Sequence, residues 1–360
     1  ALPKLSGKRR TDMETKINKK SGGNLTMTLL KGRTLLILAI LVIFFSVVQN
    51  NFFTVNTLLT VAKHVALYGI MGIGMTYVII TGGIDLSVGA VAGLVGMMAG
   101  GLINEGIVTP FGYTIYLSAP LVFIIGCLVG ILVGWINGLV VTKLKVPPFI
   151  ATLGTMNICR GLANLRSNGA TFANIVGNKG LGNTGFQYLG SSIGIIPVGV
   201  IILVIMALIA HYILKYTPFG WHILAIGGNV RAAKLSGVKT DKDTTLVYVF
   251  SGLCSAIVGM IAAAQLVASH PATGEGWEMN AISAAVLGGT SMAGGIGTVS
   301  GTIVGAFIIG VINDGMTMCG VSEFWQMIIK GIVVIVAVVV DQFQRSLQAK
   351  LALQARNASK

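Results

Sequence analysis

Five stretches of this chain contain no Asp, Glu, Lys or Arg: Thr34–Ala62, Gly106–Thr142, Gly180–Leu214, Thr244–Gly274 and Met279–Asn313. A helix crosses a bilayer with about 20 apolar residues, so each run can hold one crossing and some can hold two. Only 10% of the residues are charged and the mean hydropathy is +0.84, whereas soluble domains carry roughly 25% charged residues. Lipid is therefore the solvent that suits this chain. In lipid every backbone polar group needs an internal partner, which leaves helices or closed barrels. Barrel strands alternate apolar and polar residues over about ten positions, and these blocks do not. The expected fold class is an all-α polytopic membrane protein.

A net charge of +14 would point to nucleic acid in a soluble protein. Its distribution says otherwise. Nine Lys/Arg precede Thr34, two stand at Lys143 and Lys145, five lie from Lys215 to Lys242, and four follow Asp341. Cytoplasmic loops attract Lys and Arg, so these four segments should share the inner face. Nucleic acid is not an expected partner.

Counting crossings from an inner N-terminus gives ten spans: 34–50, 61–81, 86–103, 115–141, 148–165, 194–214, 245–268, 279–292, 296–313 and 324–341. This count puts every basic cluster and both termini on one side. The span at 279–292 is short and glycine-rich, so a broken or re-entrant segment is expected there, buried in protein. The division is a basic N-terminal extension at 1–30, expected to be disordered, a membrane permease domain at 31–342, and a basic cytoplasmic tail at 343–360. Gly89/Gly93, Gly126/Gly130/Gly134 and Gly301/Gly305 recur at the spacing that lets helix backbones approach closely.

Little in the sequence offers chemistry. No G-x-x-x-x-G-K-[ST] phosphate loop occurs. The four cysteines (Cys127, Cys159, Cys254, Cys319) lack C-x-x-C spacing and suit buried free thiols. The four histidines form no pair at metal-ligand spacing, so no metal or cofactor is expected. Among the acids only Asp85, Asp314 and Glu323 approach the spans, fewer than an ion-driven carrier would place inside the membrane. A driven transporter of this kind needs a separate motor.

Polar residues near or within the spans are the pathway or gate candidates: Asp85, Ser87, Asn137, Asn157, Asn280 and Asn313. "TGGIDLSVGAVAG" (81–93) sets Asp85 after two glycines. It can cap a helix starting at Leu86, where its charge suits the N-terminus, or gate the inner end of a path. The four amides can bond between helices or line a water-filled route for an uncharged polyol. Arg160 and Lys330 are lone cations suited to snorkelling. "GGIDLSVGAVAG" also resembles "GGIGTVSGTIVG" (294–305), and 126–154 resembles 301–331, as in transporters built from two related halves.

"TGGIDLSVGAVAGL", "KVPPFIATLGTM", "TPFGWHILAIGGNVRAAKLSGV", "SGLCSAIVGMIAAAQL", "AISAAVLGGTSMAGGIGTVSGTIVGA" and "FWQMIIKGIVVIVAVVVDQ" resemble, in this order over residues 34–341, the permease subunits of ribose-type monosaccharide ABC importers. The resemblance implies an inner-membrane subunit working as a pair. Its implied partners are an ATP-binding subunit, often two fused nucleotide-binding domains, and a periplasmic sugar-binding protein. ATP hydrolysis would then belong to the partner, and this chain would not be an enzyme. A self-sufficient ion-coupled carrier is the alternative. The outer loops at 166–193 and 269–278 are candidate docking surfaces for the binding protein.

The longest inner loop, 217–240, is the expected coupling element. Pro218 and Gly220 should break the sixth span, and Gly227–Gly228 should turn the chain. Asn229 should cap a short helix through Arg231, Ala232, Ala233, Lys234, Leu235 and Ser236, closed by Gly237. Ala232, Ala233 and Leu235 would supply contacts to the motor, with Arg231 and Lys234 at the rim.

Overall fold

A computed structural model describes residues 34–358. The expected disordered extension at 1–30 lies outside the described residues. Twelve α-helices follow in chain order: α1 (Thr34–Val48), then α2 (Val55–Ile80), α3 (Val88–Asn104), α4 (Ala119–Thr142), α5 (Pro148–Leu165) and α6 (Val198–Tyr216). The remainder are α7 (Pro218–Gly228), α8 (Val230–Leu235), α9 (Thr240–Leu266), α10 (Trp277–Leu287), α11 (Val299–Met318) and α12 (Glu323–Ala358). Six are long and apolar enough to cross a membrane: α2, α4, α6, α9, α11 and the Glu323–Val340 part of α12. The shorter apolar helices are α1 and α3.

Local sequence explains where these helices begin. Thr54 accepts from Thr57 N at the head of α2, and Thr298 accepts from Gly301 N at the head of α11. Pro120 occupies the first turn of α4 and Pro148 that of α5, where a missing N–H costs nothing. Solvent is not what sorts their faces. The most apolar window of α9 is 78% buried and that of α12 only 6%, so α9 is a central post and α12 a peripheral one. Ile124, Leu128 and Leu132 on α4, with Leu208 on α6, are exposed apolar faces of the kind lipid covers.

Glycine stripes set the closest packing. Along α4, Gly130 meets the Gly252 carbonyl of α9 and Gly134 that of Tyr248. Gly301 and Gly305 of α11 press on Gly288 and Ala284 in the same way, while Gly89 and Gly93 of α3 press on the carbonyls of Gly274 and Thr273. A side chain at any of these points would push two backbones apart.

The bundle has two distinct ends. At one, Lys143 and Lys145 from the α4–α5 turn pair with Asp241 at 3.8 and 3.4 Å. His222 of α7 meets Asp243 of α9 there at 2.9 Å. At the other, Phe172–Ala173 pairs antiparallel with Ala268–Ser269, joining the 166–193 loop to the end of α9. Arg160 of α5 donates to the Pro271 and Thr273 carbonyls at that end. The basic segments at 143–145 and 215–242 thus converge on one end, and the loops at 166–193 and 269–278 on the other.

The segment read as the eighth span is not one helix. α10 has 11 residues, about 16 Å at 1.5 Å per residue, roughly half of a ~30 Å hydrocarbon core. The chain continues as non-helical backbone to Thr298, with Thr290 and Ser291 buried. In this segment Gly295 N donates to the Ile80 carbonyl at 2.8 Å. The stretch at 294–297 thus lies against the end of α2 at Ile80, just ahead of the similar stretch at 82–85. Cys159 and Cys254 are buried free thiols and Cys127 is half-buried, but Cys319 is exposed, because it follows the end of α11.

Candidate functional site

Three of the singled-out residues meet in one buried network. Asp85 is 1% exposed. Its Oδ1 accepts from Ser87 N at 3.0 Å and Ser87 Oγ at 2.6 Å, and its Oδ2 accepts from Ser251 Oγ of α9 at 2.8 Å. Asn137 of α4 donates to Ser87 Oγ at 2.9 Å, and Thr155 of α5 donates to Asn137 Oδ1 at 2.6 Å. One carboxylate thus ties the entry of α3 to α4, α5 and α9. Among the described residues no Lys, Arg or His pairs with it. Three donors stand in for the water it has lost, as a buried charge requires.

This geometry corrects the helix-cap reading. α3 begins at Val88, not Leu86, and its cap residue is Ser87. Asp85 bonds the N–H two residues on, before the helix starts, and spends its second oxygen on another helix. It is an interhelical tie more than a cap. Its depth also differs from expectation. Asn137 lies five residues inside the end of α4 and Ser251 eleven inside the start of α9, so the network sits about 8–16 Å into the bundle. The short stretch after Thr81 folds back between helices, which a count of spans does not register. Sequence reading missed Ser251 and Thr155; hydroxyls inside otherwise apolar helices were the available signal.

The remaining amides separate. Asn157 faces outward on α5, its Nδ2 donating to the Leu153 carbonyl at 3.0 Å. Asn280 and Asn313 lie near the opposite end, around Tyr68. Asn313 lies beside the Tyr68 hydroxyl, and Asp314 Oδ2 has no hydrogen-bond partner among the described residues. Asp314 Oδ1 meets His64 Nδ1 at 2.7 Å. Asn280 does not join the Asp85 network: among the described residues no hydrogen bond links it to Asp85, Ser87 or Asn137.

The 217–240 segment contains two helices where sequence reading placed a break and one helix. Thr217 accepts from Gly220 N, and Pro218 begins α7 instead of merely ending α6. Gly220 packs against the Leu214 carbonyl. Gly227 and Gly228 lie in the last turn of α7, and neither has positive φ. Their expected sharp turn falls on Asn229, which is extended (φ −163°, ψ 104°). Gly227 is needed for approach: a Cβ there would collide with the Ile80 carbonyl and the Gly295 amide. The short helix itself is as read. Asn229 accepts from Ala232 N at 3.0 Å to cap α8. Ser236 Oγ donates to the Ala232 carbonyl, and Gly237 follows with φ +87°. Ala233 is buried within the chain and cannot offer a contact, whereas Leu235 is 91% exposed, with Arg231, Ala232 and Lys234 also exposed.

The apolar helices, long enough to cross a bilayer, make this a polytopic α-helical membrane protein. The family described as branched-chain amino acid transport system / permease component matches residues 57–338. The chain belongs to that permease family, in its ribose-type ABC importer branch. It is 42% identical to the ribose import permease protein of Bacillus subtilis over 85% of this chain and 90% of that one. It is 37% identical to the ribose import permease protein of Escherichia coli K12 over 87% and 94%. The D-allose transport system permease protein of E. coli K12 is 36% identical over 92% and 98%. No solved structure matches the chain.

Proposed function

We propose that this chain is the membrane permease of an ATP-driven importer, carrying a monosaccharide such as a ribose-like pentose, a hexose or a related polyol across the inner membrane. The observation that carries the substrate class is near end-to-end similarity to permeases named for ribose and allose. The matching family's description names branched-chain amino acids, and the relatives that match over nearly their whole length are what favours a sugar here.

In this reading the bundle makes ten crossings, α1–α6 and α9–α12, with α10 and the non-helical stretch after it acting together as the broken one. The basic end faces the cytoplasm and carries both termini. Two copies work together, since a two-fold pair is the commonest closed assembly and two nucleotide-binding domains need two receivers. Each receiver is α7–α8, with Leu235 as its apolar knob. At the other end the 166–193 and 269–278 loops, joined by their strand pair, receive the periplasmic sugar-binding protein. Asp85, Ser87 and Asn137 hold the helices that the motor moves, and Asn157 faces the partner copy.

ATP hydrolysis by the assembled complex in nanodiscs tests this. Binding protein loaded with D-ribose or D-allose should raise the rate several-fold over empty nanodiscs with ATPase alone. Stimulation by branched-chain amino acids and none by sugars would replace the substrate class.

A further inference from the structure

At the end opposite the basic loops, a cavity of about 770 Å³ opens between α2, α10 and α12. Small-ligand sites span roughly 300–1,000 Å³ and combine apolar walls with a few convergent polar groups. Two aromatic rings form a corner here: Tyr68 and Trp277 stand edge-to-face, with centroids 6.5 Å apart at 86°. Asn280, 5% exposed, lies in the same wall, with no side-chain hydrogen bond among the described residues. Lys330 of α12 and Glu275, just before α10, line the cavity as well, neither in a salt bridge among the described residues. Behind Tyr68 lies the buried Asn313 amide, beside the Tyr68 hydroxyl. Lipid would leave these groups unpaired at a cost in each case. A second, larger cleft of about 1020 Å³ beside Phe123 and Tyr188 carries hydroxyls but no charge or amide.

We propose that this cavity is a monosaccharide station of the permease itself. The Trp277 and Tyr68 faces take the C–H face of the sugar, and Asn280 and Lys330 bond its hydroxyls. An ammonium donates to hydroxyl oxygens, an amide both donates and accepts, and neither demands a charged ligand. The inference rests on the reading of the chain as a sugar permease and adds a site within it.

The experiment uses the full complex of permease, ATPase and binding protein in proteoliposomes, with radiolabelled D-ribose and D-allose as probes. Trp277→Ala should lower the initial uptake rate at least tenfold, while Trp277→Phe stays within about threefold of the unsubstituted chain. Lys330→Met should lose uptake that Lys330→Arg largely keeps. A readout independent of turnover is the labelling of Met327→Cys, in a Cys319→Ser background, by a water-soluble methanethiosulfonate. Met327 lines the cavity, so millimolar sugar should slow the labelling several-fold, and the Trp277→Ala change should abolish that protection. If the unsubstituted complex imports sugar but Met327→Cys is unlabelled, or labelled equally with and without sugar, the station does not exist and the permease reading stands. If the unsubstituted complex imports neither sugar, both fall.

Discussion

Asp85 shows how far a single residue could be read from its neighbours. Two glycines and an apolar run suggested a helix cap, and the local half of that is present in the bond to Ser87 N. The other half, Ser251, is 166 positions away, and no local pattern names it. The two accounts make different predictions. Asn at position 85 keeps an acceptor for Ser87 and a polar atom for Ser251, so Asp85→Asn should cost about 1 kcal/mol, the worth of a typical hydrogen bond. Asp85→Ser can still bond Ser87 N but cannot span to α9, so it should be clearly less stable than Asp85→Asn. Asp85→Leu orphans Ser87 and Ser251, at about 1–3 kcal/mol for each buried group, and should lower membrane abundance. Melting temperatures of the three purified variants decide it. Equal values for Asn and Ser would return Asp85 to a simple cap.

Among the elements, α8 was legible and α7 was not. Asn229 and Gly237 bracket α8 with the residues that helix ends favour, and these signals act within a few positions. α7 opens with a proline and closes with two glycines, residues that read as breakers. What makes α7 a helix is Thr217 accepting from Gly220 N, with Pro218 at the first helical position, together with the packing of Gly227 on Ile80. Exposure also divided residues that sequence grouped together. Leu235→Asp changes only the projecting knob, so it should leave the permease folded and abolish sugar-stimulated ATP hydrolysis. Ala233→Asp places a charge in a buried position, so it should reduce the amount of folded permease instead. Thermal unfolding and ATPase assays on both variants check this; normal coupling by Leu235→Asp would move the docking site off α8.

For the whole molecule, the helical membrane class was legible because uncharged runs are additive along the chain. Contacts between distant helices were not legible, and the split of the eighth segment into α10 and buried irregular backbone was only partly so. That backbone is held by Ile80 and Gly227, both far away in sequence. Reporter fusions in the loops around Lys143, Asn229 and Asn178 test the topology: the first two should read cytoplasmic and the third periplasmic. A periplasmic signal at Lys143 would break the ten-crossing count. The central claim is that ATP, used by a partner, drives a sugar through this chain. Its most direct test is D-ribose uptake into proteoliposomes holding permease, ATPase and binding protein, with ATP enclosed and an ionophore present. The account predicts uptake that needs all three proteins and ATP and is unaffected by the ionophore. Uptake by the permease alone, abolished when the ion gradient is collapsed, would contradict it and make the chain an ion-coupled carrier.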